Sequence, residues 1–233
     1  MQRELFNLKK IIKDSDKVVV FNKLFSDPNF ISWQDVEYSI NSGKYHVEIL
    51  DNKNKVSVSE SRYFWHSHPN QDKELLFHLI NEGKTFVIHQ FSLFNEKIAG
   101  LAADIEHMFP VQCDVHVYGG IGHSGSFNPH VDIPSNFIIQ LDGVTKWKVY
   151  KNYATDLLLQ EEVNTYFDPE NLEVDHEIDL EPGDMIYIPA RRFHAAFPEG
   201  NRLSLSIPCR SIKYNTDQSI HLNRNFYKID HGN

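Results

Sequence analysis

Beyond Pro110 the chain reads as a run of short strands broken by turns, and this tract constrains the fold more than any other feature. Alternating or β-branched segments predict strands over about 112–119, 136–141, 145–150, 175–180, 184–189 and 202–207. Glu181-Pro182-Gly183-Asp184 is a turn signal, because proline presets φ and glycine takes positive φ without steric cost. Several short strands at this spacing predict a β-sandwich or barrel. The preceding part is different. Leu5, Leu8, Ile11 and Ile12 share a face of a predicted helix over the first fourteen residues, and 17–21 (Lys-Val-Val-Val-Phe) predicts a buried strand. Ser32 with Asp35 forms a capping box opening a short helix that ends near Gly43. Residues 45–50 and 55–59 predict a hairpin around 51–54, and helices are predicted over 70–82 and 93–108 around the strand Thr85–Ile88. A short helix near 217–228 is predicted to close the chain.

No internal repeat or Pro/Gly/Ser-rich linker divides the 233 residues. We therefore expect one domain: an N-terminal elaboration over 1–110, a β core over 111–208 and a tail over 209–233. Fold class is mainly β with N-terminal helices (α+β). A net charge of −9 argues against a nucleic-acid binder, whose affinity rests on neutralising phosphates. No apolar run approaches the roughly 20 residues of a membrane span, and the start lacks a signal-peptide core, so no membrane partner is expected. Two cysteines, Cys113 and Cys209, are too few for a disulfide framework or a cysteine-rich zinc site and fit a reducing cytoplasm.

Thirteen histidines direct attention to metal ligands. The leading candidates lie in Asn128-Pro129-His130-Val131-Asp132. On a strand, i and i+2 share a face, so His130 and Asp132 can converge on one ion. A third ligand must come from elsewhere, and His194, beyond the strand Met185–Pro189, is the natural candidate. Two imidazoles and one carboxylate form the facial set of non-haem Fe(II) oxygenases, which leaves open positions on the metal. His-x-Asp alone serves equally well as a surface or core pair.

The stretches HVDIPSNFIIQLDGVTKWKVY (130–150) and EPGDMIYIPARRFHAAF (181–197) add specificity. Together they resemble the JmjC-type cupin-like 2-oxoglutarate oxygenases, the family of the ribosomal-protein hydroxylases and an asparaginyl hydroxylase. The resemblance spans about 84–208 and includes the strand and helix between Gly83 and Pro110, the strand holding Tyr118, and Gln140, Gly143 and Trp147 at the family spacing. It implies a double-stranded β-helix (jelly-roll, cupin) core that binds Fe(II), with 2-oxoglutarate as cosubstrate and dioxygen as oxidant. His130, Asp132 and His194 would be both the metal ligands and the catalytic centre. Asn136 matches an asparagine beside the cosubstrate in some relatives. Tyr118 either faces the site or packs in the core.

One departure matters. Many relatives carry a lysine for the far carboxylate of 2-oxoglutarate where this chain has Thr145, and strand alternation turns Lys146 and Lys148 to the other face. Arg202 is the replacement candidate, sharing a face with Ser204 in Asn-Arg-Leu-Ser-Leu-Ser; the alternative is a surface arginine on an edge strand. Guanidinium grips a carboxylate bidentately, and the Ser204 hydroxyl can complete the shell. Thr145 would then be small because the cosubstrate tail is held from another strand. His66 and His68 are read as loop or substrate-rim residues in preference to a second metal site. His123 belongs to a glycine-rich loop that either covers the site or is a solvated turn. Arg191 and Arg192 either meet an acidic substrate group or are solvated, and Trp147 is read as core packing.

The resemblance implies oxidative decarboxylation of 2-oxoglutarate to succinate and CO₂, coupled to hydroxylation of an unactivated C–H. Asp132 favours hydroxylation over halogenation, since halogenating relatives lack this carboxylate. The substrate is expected to be a protein or peptide side chain, or an amino-acid-like small molecule; N-demethylation would use the same centre. The rivals are a non-catalytic metal-binding cupin module and a cupin dioxygenase or isomerase that needs no 2-oxoglutarate. The oligomeric state is open, a homodimer included.

Overall fold

The computed structural model describes residues 16–25, 31–51, 54–58, 71–109, 111–154 and 171–211. The helices expected over 1–14 and 217–228, and His66 and His68, lie outside them. Twelve strands and three α-helices follow in the order β1 (Val19–Phe21), α1 (Trp33–Ser42), β2 (Val47–Asp51), β3 (Asn54–Val56), α2 (Lys73–Asn81), β4 (Thr85–Ile88), a 3₁₀ turn (Phe91–Leu93), α3 (Glu96–Met108), β5 (Val111–Cys113), β6 (His116–Gly122), β7 (Ser135–Asp142), β8 (Thr145–Tyr153), β9 (Val174–Leu180), β10 (Met185–Ile188), β11 (Arg192–Pro198) and β12 (Gly200–Ser211).

The helices begin and end where side-chain chemistry dictates. Ser32 and Asp35 exchange both capping-box bonds, and Gly43 takes the left-handed conformation (φ 66°) that stops α1. Asp72 and Asn95 cap α2 and α3 by accepting from the backbone N–H three residues on. These helices bury Val36, Ile40, Leu76, Ile98, Leu101 and Ile105 against the large sheet in one core with Phe86, Ile88, Val117, Leu203 and Leu205. Among the described residues no helix is long and apolar enough to cross a membrane.

The large sheet runs β1-β10-β7-β12-β6-β4-β2-β3, with β5 added along β12, and the small one runs β11-β8-β9. Every pairing is antiparallel. A residue-long bridge between His130 and His194 extends the small sheet beyond β11. From β6 onward the chain alternates between sheets: β6 in the large, the His130 segment in the small, β7 back, β8 and β9 across, β10 back, β11 across and β12 back. This is the double-stranded β-helix that the resemblance implied. The described residues are mainly β with three helices, as expected.

Three expectations need adjusting. The tract 112–119 is two strands, β5 and β6. His130 and Asp132 lie on no regular strand; His130 sits in an isolated bridge to His194, and Asp132 is held by the backbone N–H of Arg191. A strand that the sequence reading did not include, β11, carries His194. Cys113 and Cys209 face each other across β5 and β12 as free thiols.

Candidate metal centre and cosubstrate pocket

The bridge brings the two candidate histidines together. His130 and His194 exchange both backbone N–H···O=C bonds, at 3.1 and 2.9 Å, which sets their rings 4.5 Å apart between centroids. Arg191 donates its backbone N–H to the carbonyl of Asp132 at 2.7 Å and pins the third residue alongside. The Asp132 carboxylate oxygens lie 4.0 Å from His130 Nε2 and 3.5 Å from His194 Nε2.

Both rings are oriented through their other nitrogen. His130 Nδ1 bonds the carbonyl of Asn128 and His194 Nδ1 that of Arg192, each at 2.8 Å. A carbonyl can only accept, so each Nδ1 carries the proton and each Nε2 lone pair is left for a metal. Asn136 donates its amide to Asp132 Oδ2 (3.1 Å) and to Ser206 Oγ (2.9 Å), fixing the carboxylate. Burial works against ionising Asp132, but the two imidazoles and the Asn136 amide hold its carboxyl below the usual range. Burial first, then the neighbouring His194, brings His130 down to about 4, so its ring is a neutral ligand near pH 7. His130, Asp132 and His194 offer one donor atom each, all within 4.8 Å of one another, and this chemistry fits a divalent iron.

The triad opens on a cavity of about 290 Å³. Its wall includes Tyr118 and Phe127 on one side, Trp147 and Ala196 on the other, and Asn136, Arg202, Ser204 and Ser206 along the floor. Arg202 is buried, not on a surface edge: it is 3% exposed near the start of β12, a strand flanked by β6 and β7. Its Nη2 donates to Thr85 Oγ1 (2.7 Å) and Ser126 Oγ (3.3 Å), while Nη1 has no hydrogen-bond partner among the described residues. Burial lowers its pKa to about 10, with no carboxylate among the described residues to offset the cost. Gly120, directly opposite on β6, makes room for the group: a Cβ there would lie 3.3 Å from Nη1. A buried cation with an unused donor, sharing a cavity with a metal-ligand set, fits a ligand bearing a carboxylate.

The structure gathers His130, Asp132, His194, Tyr118, Asn136, Arg202 and Ser204 around this cavity. Thr145 is buried at the start of β8 but is not among the lining residues. Lys146 points outward, 3.7–3.9 Å from Glu177, Asp179 and Glu199. Tyr118 faces the site; burial, with Asp132 and Glu48 nearby, keeps its hydroxyl protonated. Trp147 packs in the core beside Val149 and also walls the cavity, 6.0 Å from the His194 ring. Arg191 and Arg192 are neither solvated nor facing the cavity: Arg191 donates to the carbonyl of Ala154, and Arg192 to the carbonyl of Tyr150, Tyr153 Oη and Asp175. His123 is exposed at a bend after β6. Sequence reasoning passed over Thr85, Ser126 and Ser206. Ser206 could have been found by extending the Arg202–Ser204 alternation one step; Thr85 and Ser126 reach Arg202 only through the tertiary fold.

Fold and site together define a double-stranded β-helix carrying a two-histidine, one-carboxylate set that could hold a metal. The chain belongs to the JmjC domain family, whose model matches residues 88–216. It is 27% identical over 124 residues to a bifunctional lysine-specific demethylase and histidyl-hydroxylase NO66 of Dictyostelium discoideum (53% of this chain, 24% of the relative). It is 23% identical over 200 residues to the protein of that name from Brugia malayi (83% and 27%). Its fold resembles that of YcfD, a ribosomal oxygenase from Escherichia coli solved with cobalt and 2-oxoglutarate: TM-score 0.62, 20% identity, covering 88% of this chain and 52% of YcfD. The chain spans about a quarter of the length of these two curated relatives.

Proposed function

We propose that the protein is an Fe(II)- and 2-oxoglutarate-dependent oxygenase that hydroxylates an unactivated C–H on a protein or peptide side chain. The carrying observation is the buried Arg202, whose Nη1 has no partner among the described residues, in one cavity with the candidate metal-ligand set. His130, Asp132 and His194 hold the metal on one face, leaving the remaining positions for cosubstrate and dioxygen. Fe(II) with 2-oxoglutarate and dioxygen supplies the oxidising chemistry when bound. Arg202 binds the far carboxylate of the cosubstrate and Ser204 completes that shell, so Thr145 need not supply the lysine of other relatives. Asn136 orients Asp132, Tyr118 stays a hydrogen-bond donor to the site, and Phe127 and Trp147 exclude water.

The protein-substrate reading is supported by the names of the relatives, among them ribosomal oxygenase 1 of Rattus norvegicus (29% identical over 126 residues). The two free thiols support a cytoplasmic setting. The test is turnover of 2-oxoglutarate by the purified chain. Succinate formation that requires added Fe(II) and dioxygen, and that Asp132→Ala abolishes, is expected. Metal binding without succinate under any condition would identify a non-catalytic module. Turnover of another substrate without 2-oxoglutarate would identify the other cupin chemistry. Formaldehyde release would identify demethylation.

A further inference from the structure

A second set of metal-type donors lies on the large sheet, outside the triad. His46 and Glu48 are two residues apart along the β2 chain, and His89 follows β4, which pairs antiparallel with β2. The register Val47↔Ile88 puts His46 opposite His89, and the backbone confirms it: His89 N–H donates to the His46 carbonyl at 3.0 Å. Both imidazoles and the Glu48 side chain therefore emerge on one face. The rings stack 5.3 Å apart, inclined by 26°, and His89 Nε2 lies 3.3 Å from Glu48 Oε2. One donor atom from each of the three falls within 4.8 Å of the others, as is also true of the triad.

We infer that His46, Glu48 and His89 form a second site for a divalent transition ion of the zinc class, separate from the catalytic metal. The donor set is suited to it: two neutral imidazoles and a carboxylate are borderline ligands that take zinc with one position open. The Glu48 carboxylate already receives a cation, since Lys55 Nζ sits 3.1 Å from Oε2. That lysine side chain is 71% exposed on the neighbouring β3 and can turn away into water, whereas the Glu48 side chain is 11% exposed and held in place. Zinc–nitrogen and zinc–oxygen distances near 2.0–2.2 Å bring ligands to about 3.3 Å from one another. A small rotation of the exposed His46 and of His89 closes the difference.

His116 supports this site without joining it. It continues the row across β6, its ring edge-on to His89 at 5.2 Å, and its Nδ1 accepts from the backbone N–H of Gln90 at 3.3 Å. The proton of its neutral ring then sits on Nε2, so His116, held by the bond from Gln90, packs edge-on against His89 and is not a ligand. By register, the row His46, His89, His116 leads to Ser206 on β12, so the second site and the cosubstrate pocket share one face of the sheet. Glu48 and Asp132 both act electrostatically on the Tyr118 hydroxyl between them.

The experiment is the number of Zn²⁺ equivalents bound by tag-free protein, measured by equilibrium dialysis with elemental analysis and repeated with Co²⁺, whose visible spectrum reports ligand geometry. His46→Ala, which truncates an exposed side chain, is expected to bind one equivalent fewer than wild type. Glu48→Gln is expected to lose the same equivalent, and Lys55→Ala to bind it several-fold more tightly by removing the competing ammonium. Asp132→Ala should remove the other equivalent and leave this one, so failure of the triad and failure of this site read out separately. An unchanged number of equivalents in His46→Ala and Glu48→Gln overturns the inference. The equivalent retained at the triad shows that each variant has folded.

Discussion

Replacing Arg202 by methionine should move two observables in opposite directions. Methionine keeps roughly the length and apolar bulk of the side chain and removes the charge and its donors. With no ligand bound, the guanidinium has neutral partners alone, Thr85 and Ser126, and Nη1 has none among the described residues. Burial alone brings its pKa from 12.5 to about 10, which corresponds to about 3 kcal/mol against the charged form. The unfolded chain holds that proton more tightly, so at neutral pH the charge penalises the folded state and the penalty fades only as pH rises through 10 to 12.5. Methionine lifts this penalty but removes the donor that the Thr85 and Ser126 hydroxyls accept from, at about 1 kcal/mol each at most, Thr85 still donating to the Ser124 carbonyl. The ligand-free variant should therefore melt at or slightly above the wild-type temperature. Cosubstrate affinity should fall sharply. Losing a buried, hydrogen-bonded carboxylate partner costs about 3–5 kcal/mol, or about two to three and a half orders of magnitude in Kd. Anaerobic titration of the Fe(II)-loaded protein with 2-oxoglutarate, followed by the visible charge-transfer band, gives that Kd, and differential scanning calorimetry gives the melting temperature. A Kd within threefold of wild type would refute the anchor. A large loss of ligand-free stability would refute the claim that the charge is uncompensated.

Other consequences follow from the same geometry. Asn136→Ala frees the Asp132 carboxylate and should weaken Fe(II) or Co(II) binding about 10- to 100-fold in a metal titration; an unchanged affinity would remove Asn136 from that role. Gly119→Ala would set a Cβ 2.2 Å from the Phe86 ring in the main core, so chemical denaturation should show a loss of about 1–3 kcal/mol, and a neutral result would contradict the packing. Ser32→Ala removes the cap of α1 and should cost about 1 kcal/mol by the same assay, with cosubstrate affinity unchanged. Leu101→Ala, at full burial in α3, should cost about 2–5 kcal/mol.

What the sequence revealed and what it hid divide along physical lines. The capping box at Ser32, the turn at Pro182-Gly183 and most strands are local signals, and the structure agrees with them. That His130 and Asp132 come together was legible from their short spacing, and that His194 joins them from the surrounding motif; that Arg202 and Ser204 share a face toward the same cavity was legible from strand alternation. Strand β11 was not read because Arg192-Phe193-His194-Ala195-Ala196 lacks a β-branched run; it is a strand because β8 and the His130 segment supply its partners. Arg191 and Arg192 look like surface residues in a sequence, yet are buried because carbonyls, Tyr153 and Asp175 from distant segments satisfy them. The His46–Glu48–His89 cluster was invisible for a similar reason. Its two histidines lie 43 positions apart in the sequence, and only the register of β2 and β4 places the rings opposite each other.

The most direct test of the account is a crystal structure of the chain grown anaerobically with Mn(II) and a non-reactive 2-oxoglutarate analogue. The account predicts anomalous density bound by His130 Nε2, His194 Nε2 and the Asp132 carboxylate, with the analogue chelating the metal and its far carboxylate hydrogen-bonded to Arg202 Nη1. A metal bound elsewhere, or an analogue whose far carboxylate turns away from Arg202, would contradict it.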